Sequence, residues 1–200
     1  MNNLISNYES LHPILVHFPI ALLSVYVILE CLRFKKILKS SSLHAIKFFL
    51  VVVGFLAGIA AYAAGPDGQS IHAWSGYANI SSPTVRQIVS MHSNFASWSL
   101  VVFGIIAFSY IVLWIRDVTI SNPKFAAGSI SNSWFMPVWR FIISIGEFIQ
   151  KPFVIILLAI IGLIFVTITG ALGGSIVYGP NIDPVVSFVF HLFFANSAIK

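Results

Sequence analysis

The chain has 200 residues, of which 58% are hydrophobic and only 8% are charged, and its mean hydropathy is +0.94. A soluble domain carries roughly 25% charged residues. So few charges cannot cover the surface of a soluble protein of 22.0 kDa, and we predict a single transmembrane domain over residues 1–200. The single cysteine, Cys31, excludes an internal disulfide and CxxC chemistry.

Four apolar runs are long enough to cross a bilayer, which takes about 20 residues per helix. The predicted spans cover about 14–32, 45–64, 88–115 and 152–171. The first run follows a terminus without Lys or Arg, so we predict a retained span rather than a cleaved signal peptide. In the second, Gly54 and Gly58 are spaced for close helix packing.

Glycines are expected to end the fourth span, because Gly170, Gly173 and Gly174 follow one another closely before Gly179-Pro180. A last helix over 184–195 would be about 18 Å long, which is too short to cross.

A second short helix is predicted in the connection between the third and fourth spans, over 134–149. Its apolar side chains recur at helical spacing, whereas Arg140, Ser144 and Glu147 fall on another face. The apolar stripe consists of Trp134, Val138, Phe141, Ile145 and Phe148. The predicted fold class is therefore all-α: a polytopic membrane four-helix bundle with short interfacial helices.

Positive charges indicate the orientation of this bundle. Nine of the 11 Lys and Arg residues follow the first or the third span, and only Arg86 and Lys200 fall on the other side. By the positive-inside rule both basic segments face the cytoplasm and both termini lie outside. Topology thus explains the basic charge without a nucleic-acid partner.

Five of the six histidines fall on the outer side of this topology: His12, His17, His72, His92 and His191. His17 and His92 enter parallel spans, so we expect them at one depth. Each heads a stripe of small residues at i, i+4 and i+7, which share a helix face. The stripes are His17, Ala21, Ser24 and His92, Ala96, Ser99.

Three hypotheses account for these histidines. In the first, His17 and His92 bind haem b between helices. In the second, a divalent or copper ion lies at the outer mouth, held by three or four of His12, His17, His72, His92 and His191. In the third, the imidazoles only hydrogen-bond to backbone carbonyls. Neither a nucleophile elbow, a phosphate loop nor an acidic pair is present, so an enzyme is disfavoured.

Two stretches resemble the opening and closing motifs of a bacterial membrane family of unknown function, DUF2231. They are His12-Pro13-Ile14-Leu15-Val16-His17-Phe18-Pro19-Ile20-Ala21-Leu22 and Gly170-Ala171-Leu172-Gly173-Gly174-Ser175-Ile176-Val177-Tyr178-Gly179, and His92 matches a histidine of the family's third helix. The resemblance, over about Leu11 to Asp183, implies a four-span, multi-pass protein of the bacterial inner membrane. Some relatives are joined to redox domains, which by association favours electron transfer.

We therefore hypothesise a membrane protein whose outward-facing histidine cluster binds haem b or a metal for electron transfer, with redox or membrane-complex proteins as partners in the bilayer. The alternative is a non-catalytic accessory or scaffold subunit that docks through its interfacial helices. A small-solute or metal transporter is the third hypothesis: such proteins have Gly or Pro breaks at the midplane, whereas the breaks in this chain lie at the ends of the spans.

Overall fold

A computed structural model describes residues 2–32, 41–65, 83–121 and 135–194, and these residues contain six helices and no strand. The helices are α1 (Asn2–Cys31), α2 (Ser41–Ala63), α3 (Pro83–Ser121), α4 (Phe135–Ile149), α5 (Pro152–Tyr178) and α6 (Pro184–Phe194). The all-α prediction is confirmed.

Three helices are long and apolar enough to cross a membrane: Ser42–Ala63, Val85–Thr119 and Pro152–Tyr178. They coincide with the second, third and fourth predicted spans. The apolar part of α1, Leu15–Cys31, is shorter than these three helices, and its role as a first span stays a prediction. The two predicted interfacial helices correspond to α4 and α6, within one residue at each end.

The helices pack side by side around a shared core. α1 contacts α2 and α5, whereas α3 contacts α2, α4 and α5, and α6 packs on α5. Buried Tyr26, Val51, Phe103 and Ile155 join four helices in one cluster. A second cluster, which includes Ile88, Leu172, Val186 and Phe190, fastens α6 to α3 and α5.

Glycines in α2 admit side chains from two neighbouring helices. A Cβ at Gly54 would lie 2.8 Å from Leu23 Cδ2 of α1, and one at Gly58 would lie 2.8 Å from Leu100 Cδ2 of α3. The predicted packing role of this pair therefore agrees with the observed contacts.

The predicted break at Gly170, Gly173 and Gly174 is wrong, because α5 continues as a helix to Tyr178; the end of the membrane span at residue 171 stays a prediction. Gly173 and Gly174 remain helical, and they leave room for His92 and Val186, whose atoms would lie 3.1 and 3.2 Å from an added Cβ. The helix ends only at Gly179, where φ is 99°, a conformation that glycine adopts without strain.

The predicted apolar stripe of α4 is exposed over the residues whose side chains the structure describes. Gly146 and Ile149 face inward, with Gly146 against Val112 and Leu113 of α3. The stripe members Val138, Phe141, Ile145 and Phe148 are 36–65% exposed. Trp134 lies outside the described residues. An apolar stripe beside a polar face suits a helix at the membrane interface.

Candidate functional site

His92 projects from α3 toward α5. Its Nδ1 lies 2.9 Å from the carbonyl oxygen of Thr169, and a carbonyl can only accept, so Nδ1 carries the hydrogen. The ring fits against Gly173, where a Cβ would lie 3.1 Å from His92 Cε1. Metal-bound imidazoles are often held by such a bond, so this contact by itself is compatible with a ligand role.

His17 lies on the exposed side of α1. Its side chain is exposed, as is that of Ala21 one turn later, whereas the buried face of α1 carries Pro19, Leu23 and Tyr26. The third member of the stripe, Ser24, is half-buried. The stripe that begins at His17 is therefore not part of the buried core.

The two imidazoles also differ in depth. Pro19 of α1 and Leu100 of α3 both approach Gly58, so they mark one level. His17 precedes Pro19 by two residues and His92 precedes Leu100 by eight. At about 1.5 Å per residue, the two histidines are offset along the helix axes by about 9 Å.

The remaining outer histidines are not brought together where the structure describes them. His191 is exposed on α6 and its ring lies beside Phe190, at 5.7 Å. His72 and the side chain of His12 lie outside the described residues. No group of three or more His, Cys, Asp or Glu in the described part could hold a metal ion.

The haem and metal hypotheses therefore gain no support from this geometry. A haem with two axial histidines needs both imidazoles on opposite sides of one cavity, and His17 faces outward at another depth. His92 and His17 as cofactor ligands, and His12, His72 and His191 as metal ligands, stay predictions.

A polar centre lies at the other end of the helices, where Glu30 of α1 is fully buried. Its Oε2 accepts a hydrogen bond from the Tyr110 hydroxyl of α3 at 3.4 Å. The same oxygen forms an ion pair with the Lys47 ammonium of α2, whose Nζ lies 3.0 Å away. The Lys47 side chain is only 6% exposed. We call Glu30, Lys47 and Tyr110 the inner polar centre.

Aromatic rings pack around the Tyr110 ring of this centre. The Tyr110 ring lies 5.1 Å from the His44 ring, 6.1 Å from Tyr26 and 6.3 Å from Phe48. A buried carboxylate is tolerated when a cation and further donors compensate its lost hydration. The arrangement neutralises Glu30 and ties together α1, α2 and α3.

Sequence reasoning missed this centre, because it counted Lys47 only as one of the nine Lys and Arg residues that follow the first or the third span. A signal was present: Glu30 and Lys47 are the only charged residues of the first and second predicted spans, their charges are opposite, and the spans are consecutive. An ionisable residue at membrane depth usually pairs with another ionisable group or with a backbone carbonyl.

A second polar set fastens α4 to α3. Arg116 Nη1 donates to Glu147 Oε1 at 2.7 Å, and its other nitrogens reach Asp117 at 2.8 and 2.9 Å. Gln150 Nε2 donates to Ser109 Oγ at 3.1 Å. The Glu147 side chain is 56% exposed, so this ion pair contributes less than a buried one.

The contact between His92 and Gly173 is testable by a double-mutant cycle. Gly173→Ala is expected to lower the free energy of unfolding by about 1 kcal/mol, because the new methyl meets the imidazole. In a His92→Ala background the new methyl meets no imidazole, so the same change should stabilise the helix by about 0.5–1 kcal/mol, as expected for an unopposed helical glycine. Detergent-induced unfolding of the four proteins measures the coupling.

A His17→Ala background is the matched control for that cycle. Its side chain is exposed, so the cost of Gly173→Ala should there be unchanged. An equal cost of Gly173→Ala in all three backgrounds would show that the imidazole does not occupy the space beside Gly173.

Comparison with known proteins supports the family resemblance over part of the chain. A family model described as "Predicted membrane protein (DUF2231)" matches residues 9–73, which include α2 and most of α1. The resemblance is thereby confirmed for this segment, and neither His92 nor the stretch 170–179 falls within it. No curated protein and no solved structure matches.

Proposed function

We propose that α1, α2, α3 and α5 all span the bacterial inner membrane as a four-helix bundle, with both termini outside. The contacts of α1 with α2 and of α5 with α1 support a closed arrangement. Pairing with Lys47 removes the charge that would otherwise oppose insertion of Glu30. The asymmetry of Lys and Arg supports the orientation.

Within that membrane, we propose a non-catalytic accessory subunit that docks a partner membrane protein through α6. The observation that carries this function is an exposed apolar ridge on that helix. Val185, Phe188 and Leu192 are 52, 68 and 62% exposed, at positions i, i+3 and i+7. This spacing is used by helices that insert one face into a partner's groove. We call these residues the outer ridge.

The opposite face of α6 is packed against the bundle, so the outer ridge is fixed in place before a partner binds. Val186, Val189 and Phe190 on the opposite face are buried in the second core cluster. Asp183 Oδ1 accepts the backbone N–H groups of Val185 and Val186 at 2.8 and 2.9 Å, which caps the helix start. A preorganised helix loses little conformational entropy when it binds.

Photo-crosslinking in intact cells tests the accessory function. A photoreactive residue at Leu192 should give one protein adduct of fixed mass that can be purified and identified. Phe188→Ala should reduce its yield about tenfold or more, because a central aromatic residue dominates such interfaces.

The same photoreactive residue at Ile164 is the matched control, because this side chain of α5 is 49% exposed and apolar but lies outside the outer ridge. It should give lipid adducts only. Lipid adducts alone at both positions would refute the accessory function, and so would a Leu192 protein adduct that Phe188→Ala leaves unchanged.

A further inference from the structure

An apolar groove runs along the outside of the helices, between α2, α3 and α4. It measures about 620 Å³ and is almost entirely apolar in its lining, a size within the usual range of ligand sites. Its walls come from three helices, and Gly104 forms part of its floor. The wall residues are Phe55, Ile59, Leu100, Phe108, Ile145 and Ile149.

A polar pocket adjoins one end of this groove. It is lined by Ser144, Ile145, Glu147, Phe148 and Lys151, so that Ile145 borders both cavities. Glu147 pairs with Arg116, which lies eight residues beyond Phe108 along α3. The polar pocket is therefore at the end of the groove that lies nearer to Arg116.

Lys151 offers a cation in this pocket. Its Nζ lies 5.1 Å from the centre of the Phe148 ring, and it makes no ion pair with another described residue. The Arg116 guanidinium lies nearby but is already bound by two carboxylates. An ammonium at the end of this apolar groove complements a molecule with one anionic end and a long apolar tail.

We propose that this groove holds one acyl chain of a phospholipid whose phosphate binds the Lys151 ammonium. Along α3 the groove extends from Leu100 to Phe108, about 12 Å at 1.5 Å per residue. One leaflet of a bilayer core is about 15 Å thick, so the groove accommodates most of a chain. Under the orientation proposed above, the lipid belongs to the inner leaflet.

Delipidated protein in a mild detergent, mixed with phosphatidylglycerol, provides the test by native mass spectrometry. The wild type should retain one lipid per chain. Lys151→Glu, which reverses the phosphate-binding charge, should weaken retention about tenfold or more. Ile105 of α3 also lines the groove, so Ile105→Trp, which fills the groove, should have the same effect.

Matched controls separate this site from general contact with lipid. Arg140→Glu reverses an exposed charge on α4 outside both cavities, and Ile164→Trp enlarges an exposed apolar side chain of α5. Both should retain the lipid. Excess inorganic phosphate should not displace it, because phosphate lacks the acyl chain.

Three outcomes would overturn the proposal: a wild type that retains no lipid, equal retention in all five proteins, or displacement by inorganic phosphate alone. Unfolding temperatures of the same preparations monitor the fold. If either disruptive variant does not fold, Lys151→Gln or Ile105→Phe replaces it with the same expected loss. The test needs no partner protein, so its outcome is independent of the accessory function.

Discussion

Glu30→Ala is expected to lower the free energy of unfolding by about 3–5 kcal/mol, because it leaves the Lys47 ammonium buried without its counter-ion. The carboxylate is fully buried and lies 3.0 Å from Lys47 Nζ. Tyr110 loses an acceptor in the same variant. Unfolding in mixed micelles with increasing denaturing detergent, followed by tryptophan fluorescence, measures the change.

The double variant Glu30→Met, Lys47→Met should recover most of that loss, because apolar side chains of similar size remove both charges together. The exposed pair of Arg116 and Glu147 is the matched control, since its loss should cost no more than about 1 kcal/mol. A double variant as unstable as Glu30→Ala would disprove charge compensation as the role of Lys47.

Gly162→Ala is expected to destabilise the protein by about 2 kcal/mol. The added Cβ would lie 2.8 Å from two ring atoms of Phe103, Cε2 and Cζ. Phe103 is fully buried, and its ring packs edge-on against that of Tyr26, with 6.5 Å between the ring centres. The Phe103 ring therefore cannot turn away without disturbing the core. Overpacking of this kind typically costs 1–3 kcal/mol. The same unfolding measurement applies.

Gly170→Ala, in the same helix, is the matched control. An added Cβ there would meet nothing within 4 Å, so alanine should stabilise the helix by about 0.5–1 kcal/mol through its higher helix propensity. A loss of stability in Gly162→Ala together with a gain in Gly170→Ala would confirm that contact with Phe103 causes the loss. A loss of equal size at both would contradict that explanation.

Hydropathy was sufficient to predict three of the helices as membrane spans, because a long apolar run has few other stable solutions. The prediction from the glycine cluster failed at the end of α5, because the helix continues through these glycines. Glycine inside a helix costs only about 1 kcal/mol. Contacts of His92 with Gly173 and of Val186 with Gly174 accompany the helix here, and the first of them joins residues far apart in the chain.

The candidate site was harder to predict, because α1 is apolar on nearly every side. Sequence could not decide that Pro19 is buried while Phe18 is 54% exposed. Only packing against α2 and α5 fixes that choice, and it turns His17 outward. The inner polar centre also escaped prediction, since Glu30 and Tyr110 are 80 residues apart.

The ion pair between Glu30 and Lys47 has a consequence for biosynthesis. Both residues belong to the first two helices, which emerge from the ribosome as one hairpin before Tyr110 is translated. Under the four-span arrangement proposed above, the one charge inside each of the first two spans is therefore paired without waiting for the rest of the chain. The segment that matches the family model, residues 9–73, contains both charges.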